Sequence, residues 1–167
     1  HAFDLACFLA GDIESMSASM SLSNKGLPDG LLAGEPVDAD DGFTASVRFA
    51  NGAVGSIGAS RVTRGYKDWE FVRVCGTRGS VEVDFGYEAA DFAEFGNRLR
   101  IYTADQHRWR TIRCKPTPST YARFIKAIRG CSNCIQTDFA HGLTVQRLVD
   151  TCARAAESGT RLSVGAR

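Results

Sequence analysis

Residues 41–61 read DGFTASVRFANGAVGSIGASR. Phe43, Ala45, Val47 and Phe49 alternate with small or polar residues, the period of a strand that buries one face. Asn51-Gly52 follows at once and accepts the two positive φ values of a type I′ turn, so the chain should reverse there. Ala53 to Arg61 is the returning strand, and its Gly55 and Gly58 suggest a bulge. A hairpin at this point sets the centre of the fold as antiparallel sheet.

Upstream, Met16, Ala18, Met20 and Leu22 alternate with Ser15, Ser17, Ser19 and Ser21, which predicts a half-buried strand over Ile13–Leu22. The Gly- and Pro-containing stretch from Asn24 to Pro36 reads as a loop. His1 to Ala10 reads as a helix stopped by Gly11, with no capping residue ahead of its first turn. A helix that begins in mid-pattern leads us to expect a chain taken from a longer protein.

Downstream, Trp69–Cys75 and Ser80–Phe85 form a second hairpin across Gly76 to Gly79. Shorter strands are expected at Leu99–Tyr102 and Trp109–Cys114. The period then changes. Tyr121, Phe124, Ile125 and Ile128 share a helical face after Pro118-Ser119, and Gly130 closes that helix. A longer helix carries Val145, Leu148, Val149, Cys152 and Ala156 on one stripe and ends at Gly159, before a short strand at Arg161–Val164. Strands in a run with helices segregated make an α+β fold: a mainly antiparallel, open-faced sheet with helices packed on one face, as a single domain over 1–167.

Composition narrows the function. Among 167 residues, 20 Lys and Arg face 19 Asp and Glu, for a net charge of +1. That balance removes the electrostatic case for binding nucleic acid or a membrane surface. No apolar run approaches the ~20 residues that span a bilayer. The six cysteines are scattered, and a core of this size needs no staples, so we expect reduced thiols in a cytoplasmic protein. No strand–GxGxxG–helix unit occurs, because Gly52, Gly55 and Gly58 lie inside a hairpin. The chain is therefore not expected to hold a dinucleotide in that manner unaided.

Four stretches carry a family resemblance in order: HAFDLACFLAG (1–11), the hairpin at 41–61, VRVCGTRGSVEVDF (72–85) and DFAHGLTVQRLVDTCARAAESGTRLSV (138–164). Together they resemble the C-terminal α/β domain of the Gfo/Idh/MocA family of NAD(P)-dependent oxidoreductases. The resemblance implies the substrate-binding and oligomerisation domain of a dehydrogenase for a sugar, cyclitol or related polyol. NAD or NADP would be held mainly by an N-terminal dinucleotide-binding domain absent from this chain, and the isolated chain would be inactive. The alternative reading is a non-catalytic assembly module that uses its open sheet face.

His1 matches the histidine of the family's D-x-x-x-H element, which implies a catalytic role in handling the substrate hydroxyl proton. Imidazole titrates close to neutral pH, which suits that task. The loop RVTRGYKD (61–68) follows the hairpin; by the resemblance it approaches substrate, with Tyr66 as an aromatic contact. Arg61 or Arg64 there could hold an anionic group through a forked pair of hydrogen bonds. Cys131-Ser-Asn-Cys134 follows a helix and lacks further ligands at zinc spacing, so a structural or incidental role is expected. Asp38, Asp40 and Asp41 fail the calcium-loop pattern, which wants Gly where Phe43 stands and Glu where Phe49 stands; they read as a solvated acidic turn. His107 and His141 are expected to be non-catalytic. The serine-lined face of residues 13–22 suits close sheet-to-sheet approach, so a homodimer through that face is expected.

Overall fold

The computed structural model describes residues 1–22, 39–63, 69–85, 98–113, 118–131 and 137–165. They form α1 (Ala2–Ala10), β1 (Ile13–Ser21), β2 (Gly42–Phe49), β3 (Val54–Ser60), β4 (Glu70–Gly76), β5 (Gly79–Phe85), β6 (Arg98–Thr103), β7 (Arg108–Ile112), α2 (Thr120–Ile128), α3 (Phe139–Ser158) and β8 (Leu162–Ser163). The α+β class and the antiparallel pairing expected from the sequence are both present, with the strands divided between two four-stranded sheets. The chain groups into two compact units, one of residues 1–63 with 129–167 and one of residues 64–128.

The first unit holds the sheet β3-β2-β1-β8 with α1 and α3 against it. Its register puts Met16 opposite Val47 and Ala18 opposite Ala45, and all four side chains share the face beneath the helices. Phe3 of α1 and Leu148, Cys152 and Ala155 of α3 close over that face; Met16 is 0% and Leu148 1% exposed. The opposite face carries Ser17, Ser46 and Ser56 side by side, with Ser19 and Thr44 in the next row, exposed or half-buried. Small side chains leave that surface flat, while the apolar set opposite supplies the driving force.

Two local readings are corrected. The pairing of β2 with β3 runs without a break from Gly42↔Ser60 to Arg48↔Val54, so Gly55 and Gly58 mark no bulge. At Gly58 the strands pack closely instead: a Cβ there would meet the Phe43 carbonyl oxygen at 3.1 Å, while one on Gly55 would find only ordinary contact with the Phe49 ring at 3.5 Å. The register shift falls in β1, between Ile13 and Ser15, where it lets both Ile13 and Met16 enter the core.

The turn at Asn51-Gly52 is likewise not type I′. Gly52 has φ 88° but Asn51 does not take a positive φ, and the Phe49 N–H donates to the Ala53 carbonyl across three intervening residues. Asn51 is held otherwise. Its Oδ1 accepts the Ala53 N–H at 3.0 Å while its Nδ2 donates to the Ala10 carbonyl at 2.8 Å, tying the hairpin to the end of α1.

The second unit holds the meander β4-β5-β6-β7 and α2. One face of its sheet is apolar, with Val72, Val83 and Leu99 in a row and Val74, Val81 and Ile101 in another. The other is a charge ladder in which Glu82 receives both Arg73 and Arg100, and Arg100 lies 4.7 Å from the Trp109 ring centre. The fully buried side chains among the described residues all belong to the first unit.

Cys7, Cys75 and Cys152 are free thiols, as expected, but Cys131 is disulfide-bonded. The expectation of six reduced thiols is corrected there. A large core removes the need for a staple without preventing two thiols from meeting.

Two outcomes follow for this scaffold. Met16→Ala should cost about 2–5 kcal/mol in denaturant unfolding, through lost burial and a residual cavity. Ser46→Ala on the open face should stay within about 0.5 kcal/mol; equal losses would mean the two faces are wrongly assigned. Burial also raises the Cys152 thiol above its ordinary value of 9.0, and Asp40 adds a smaller push in the same direction. Above pH 9 the unfolded chain therefore ionises this thiol first, and its contribution to stability is lost as pH rises through the folded value. The stability gap between wild type and Cys152→Ala should narrow from pH 8 to pH 10.5, and a constant gap would contradict the burial of that thiol.

Candidate functional site

His1 stands at the N-cap position of α1, exposed, and its carbonyl accepts the Leu5 N–H at 2.9 Å. No side chain caps the turn. The buried side of α1 is held by apolar contact: Phe3 is 5% exposed and stacks on Phe43 with ring centres 5.5 Å apart. His1 therefore projects from the end of an element anchored to the sheet two residues later.

Arg61 follows β3 and is exposed, and its backbone N–H donates to the Asp41 carbonyl at 2.8 Å. Among the described residues no hydrogen bond or ion pair joins it to His1. Arg64 and Tyr66, the other candidates, lie outside the described residues.

Asp41 departs from the solvated acidic turn expected for it. It is 8% exposed, and its Oδ1 accepts the Ser21 hydroxyl at 2.9 Å, while its N–H donates to the Ser21 carbonyl at 3.0 Å. The carboxylate joins the start of β2 to the end of β1, which explains its burial. His107 takes a left-handed backbone, φ 49°, in the turn between β6 and β7. Among the described residues, no group of three or more His, Cys, Asp or Glu is placed to hold a metal ion.

One contact that sequence reasoning missed lies beside His1. His141, in the first turn of α3, brings Nε2 to 2.6 Å from Oδ1 of Asp4, in the first turn of α1. The two residues are 137 positions apart, so no local pattern joins them. The signal available was the opposite charge preference of each residue near a helix start, which names no partner.

This arrangement of a helix, an antiparallel sheet and a long second helix has known counterparts. The profile of the GFO/IDH/MocA C-terminal domain matches residues 1–82. Residues 1–82 are a Gfo/Idh/MocA C-terminal domain. It is 33% identical over 129 residues to levoglucosan dehydrogenase of Pseudarthrobacter phenanthrenivorans, a match covering 70% of this chain and 32% of that protein. A solved levoglucosan dehydrogenase in complex with NADH and levoglucosan superimposes with a TM-score of 0.76 at 28% identity, over 98% of this chain and 48% of that one. An oxidoreductase domain protein from Kribbella flavida shares the fold, with a TM-score of 0.77 at 21% identity, over 98% of this chain and 49% of that one. The chain thus spans about half the length of these solved relatives.

The described residues do not fit a nicotinamide dinucleotide by themselves. A dinucleotide cradle needs a strand leading through a glycine turn into a helix N-terminus. Here the glycines with positive φ between strands lie in antiparallel hairpins, Gly52 between β2 and β3 and Gly79 at the start of β5. Every strand pairing among the described residues is antiparallel. No step is therefore assigned to the nucleotide within this chain.

No helix among the described residues is long and apolar enough to cross a membrane.

Proposed function

We propose that this chain is the substrate-binding and oligomerisation domain of an NAD- or NADP-dependent dehydrogenase acting on a sugar, cyclitol or related polyol. The observation that carries the reading is the match to levoglucosan dehydrogenase, which extends through both the sequence and the fold of a complex holding NADH and levoglucosan. In the parent protein a separate N-terminal domain holds the nucleotide, and the present chain alone is inactive.

The chemistry divides accordingly. Oxidising an alcohol removes a hydride from carbon and a proton from oxygen; the nicotinamide, bound elsewhere in the parent, supplies the hydride acceptor. This chain handles the oxygen side. His1 accepts the hydroxyl proton, a task for which imidazole is suited near neutral pH. Its exposed position at the end of an anchored helix supports the role, because a proton acceptor must be reachable yet held in place. Arg61, Arg64 and Tyr66 line the substrate, with a guanidinium binding oxygen atoms through paired donors.

The serine- and threonine-lined face of β1, β2 and β3 is the homodimer surface, supported by its small side chains opposite a helix-covered face. No nucleic acid or membrane partner is assigned. The setting is cytoplasmic, supported by the three free thiols, with the Cys131 disulfide standing against it.

The test uses the full-length gene product, assayed with NAD+ and NADP+ against levoglucosan and a panel of hexoses and cyclitols. Oxidation of a polyol should be detected, and His1→Asn should lower kcat by about 100-fold or more with KM little changed. Unchanged turnover in His1→Asn would remove the proton role, and a protein inert toward the whole panel would favour the assembly module instead.

A further inference from the structure

A helix of nine residues does not hold itself together in water, so α1 takes its order from what it touches. Its buried side is secured by Phe3, with Ala6, Cys7 and Ala10 packed against the same core. Its first turn is different. No side chain caps it, and the residue ahead of it is His1. The polar attachment in that turn is Asp4, whose Oδ1 lies 2.6 Å from Nε2 of His141.

The direction of that bond is set by chemistry. An ionised carboxylate only accepts, so Nε2 of His141 carries the proton and donates it. His141 is itself held. Its backbone N–H donates to Oδ1 of Asp138 at 2.8 Å, an N-cap that fixes the start of α3, and α3 is seated on the sheet through Leu148, Cys152 and Ala155. Rigidity therefore passes from the core to α3, from the capped first turn to the imidazole, and from there to the turn that bears His1. Asp4 is also well placed electrostatically, since a negative side chain in the first turn complements the helix dipole.

We infer that Asp4 and His141 form a clasp between α1 and α3 that positions His1. They are positioning residues and take no part in proton transfer. The inference rests on the reading of His1 as proton acceptor, but the clasp can be observed without any catalysis.

The experiment is amide exchange and imidazole NMR on the 167-residue chain, comparing wild type with Asp4→Ala, His141→Ala, His141→Gln and the Asp4→Ala/His141→Ala double variant. The Leu5 N–H, bonded to the His1 carbonyl, should exchange about tenfold faster in either alanine variant, and no faster in the double. The His1 ring signals should shift in the same variants, while the Met16 and Val47 amides keep their protection. His141→Gln, whose side-chain N–H can reach the same carboxylate, should restore both readouts. The clasp is refuted if Leu5 and His1 do not respond, if the single effects add, or if Met16 and Val47 lose protection by the same factor. These readouts do not involve turnover, so the clasp and the proton role of His1 stand or fall separately.

Discussion

The first unit depends on one seam, where the apolar side chains of β1 meet the buried stripe of α3. Met16 sits in the middle of its sheet, between β2 and β8, and shares a core with Leu148, Cys152 and Ala155 from the far end of the sequence. Apolar burial of this kind is non-directional, so it decides that α3 lies on the sheet but not at which rotation. Rotation is settled by the directional contacts at the ends: the Asp138 cap, the αL turn at Gly159 with φ 64°, and β8 pairing back onto β1. With α3 so placed, its first turn arrives beside the first turn of α1. The surroundings of His1 are thus set by packing more than a hundred residues away in sequence.

A second constraint is the asymmetry of the sheet in that unit. Its helix-covered face uses Met, Val, Ile and Phe, and the other uses mainly Ser, Thr and Gly, with the exposed pair Arg48 and Val54 at one end. A strand of strict period two would have placed Ile13 on the wrong side of Met16, and the register shift in β1 corrects the phase. On the proposed reading the covered face carries stability, the helix end carries proton transfer, and the flat face carries assembly. The nucleotide needs a parallel strand-to-helix turn, which an antiparallel hairpin fold does not offer.

Most of this architecture was legible in the residues because it rests on periodicity. The alternation at Phe43–Phe49 and the stripe Leu148–Cys152 each record which side is buried, and the elements fall where those patterns lie. What stayed hidden depends on partners distant in sequence. Asn51-Gly52 signalled a turn, but its type was decided by the Asn51 side chain reaching Ala10 on another element. Gly55 and Gly58 signalled irregularity, although the pairing is regular and Gly58 answers to the Phe43 backbone across the strand. Asp41 looked like a surface charge because a buried carboxylate differs from an exposed one only in its neighbours, here Ser21. His1 was singled out by motif resemblance, and its Asp4–His141 neighbours could not be, since a contact between two helix starts leaves no spacing to read.

The central claim is that these residues shape the substrate side of a redox site and leave the nucleotide to another domain. Isothermal titration of NADH into the 167-residue chain tests it most directly. The account predicts heats of dilution alone, with no saturable binding. A saturating isotherm at micromolar NADH would contradict it.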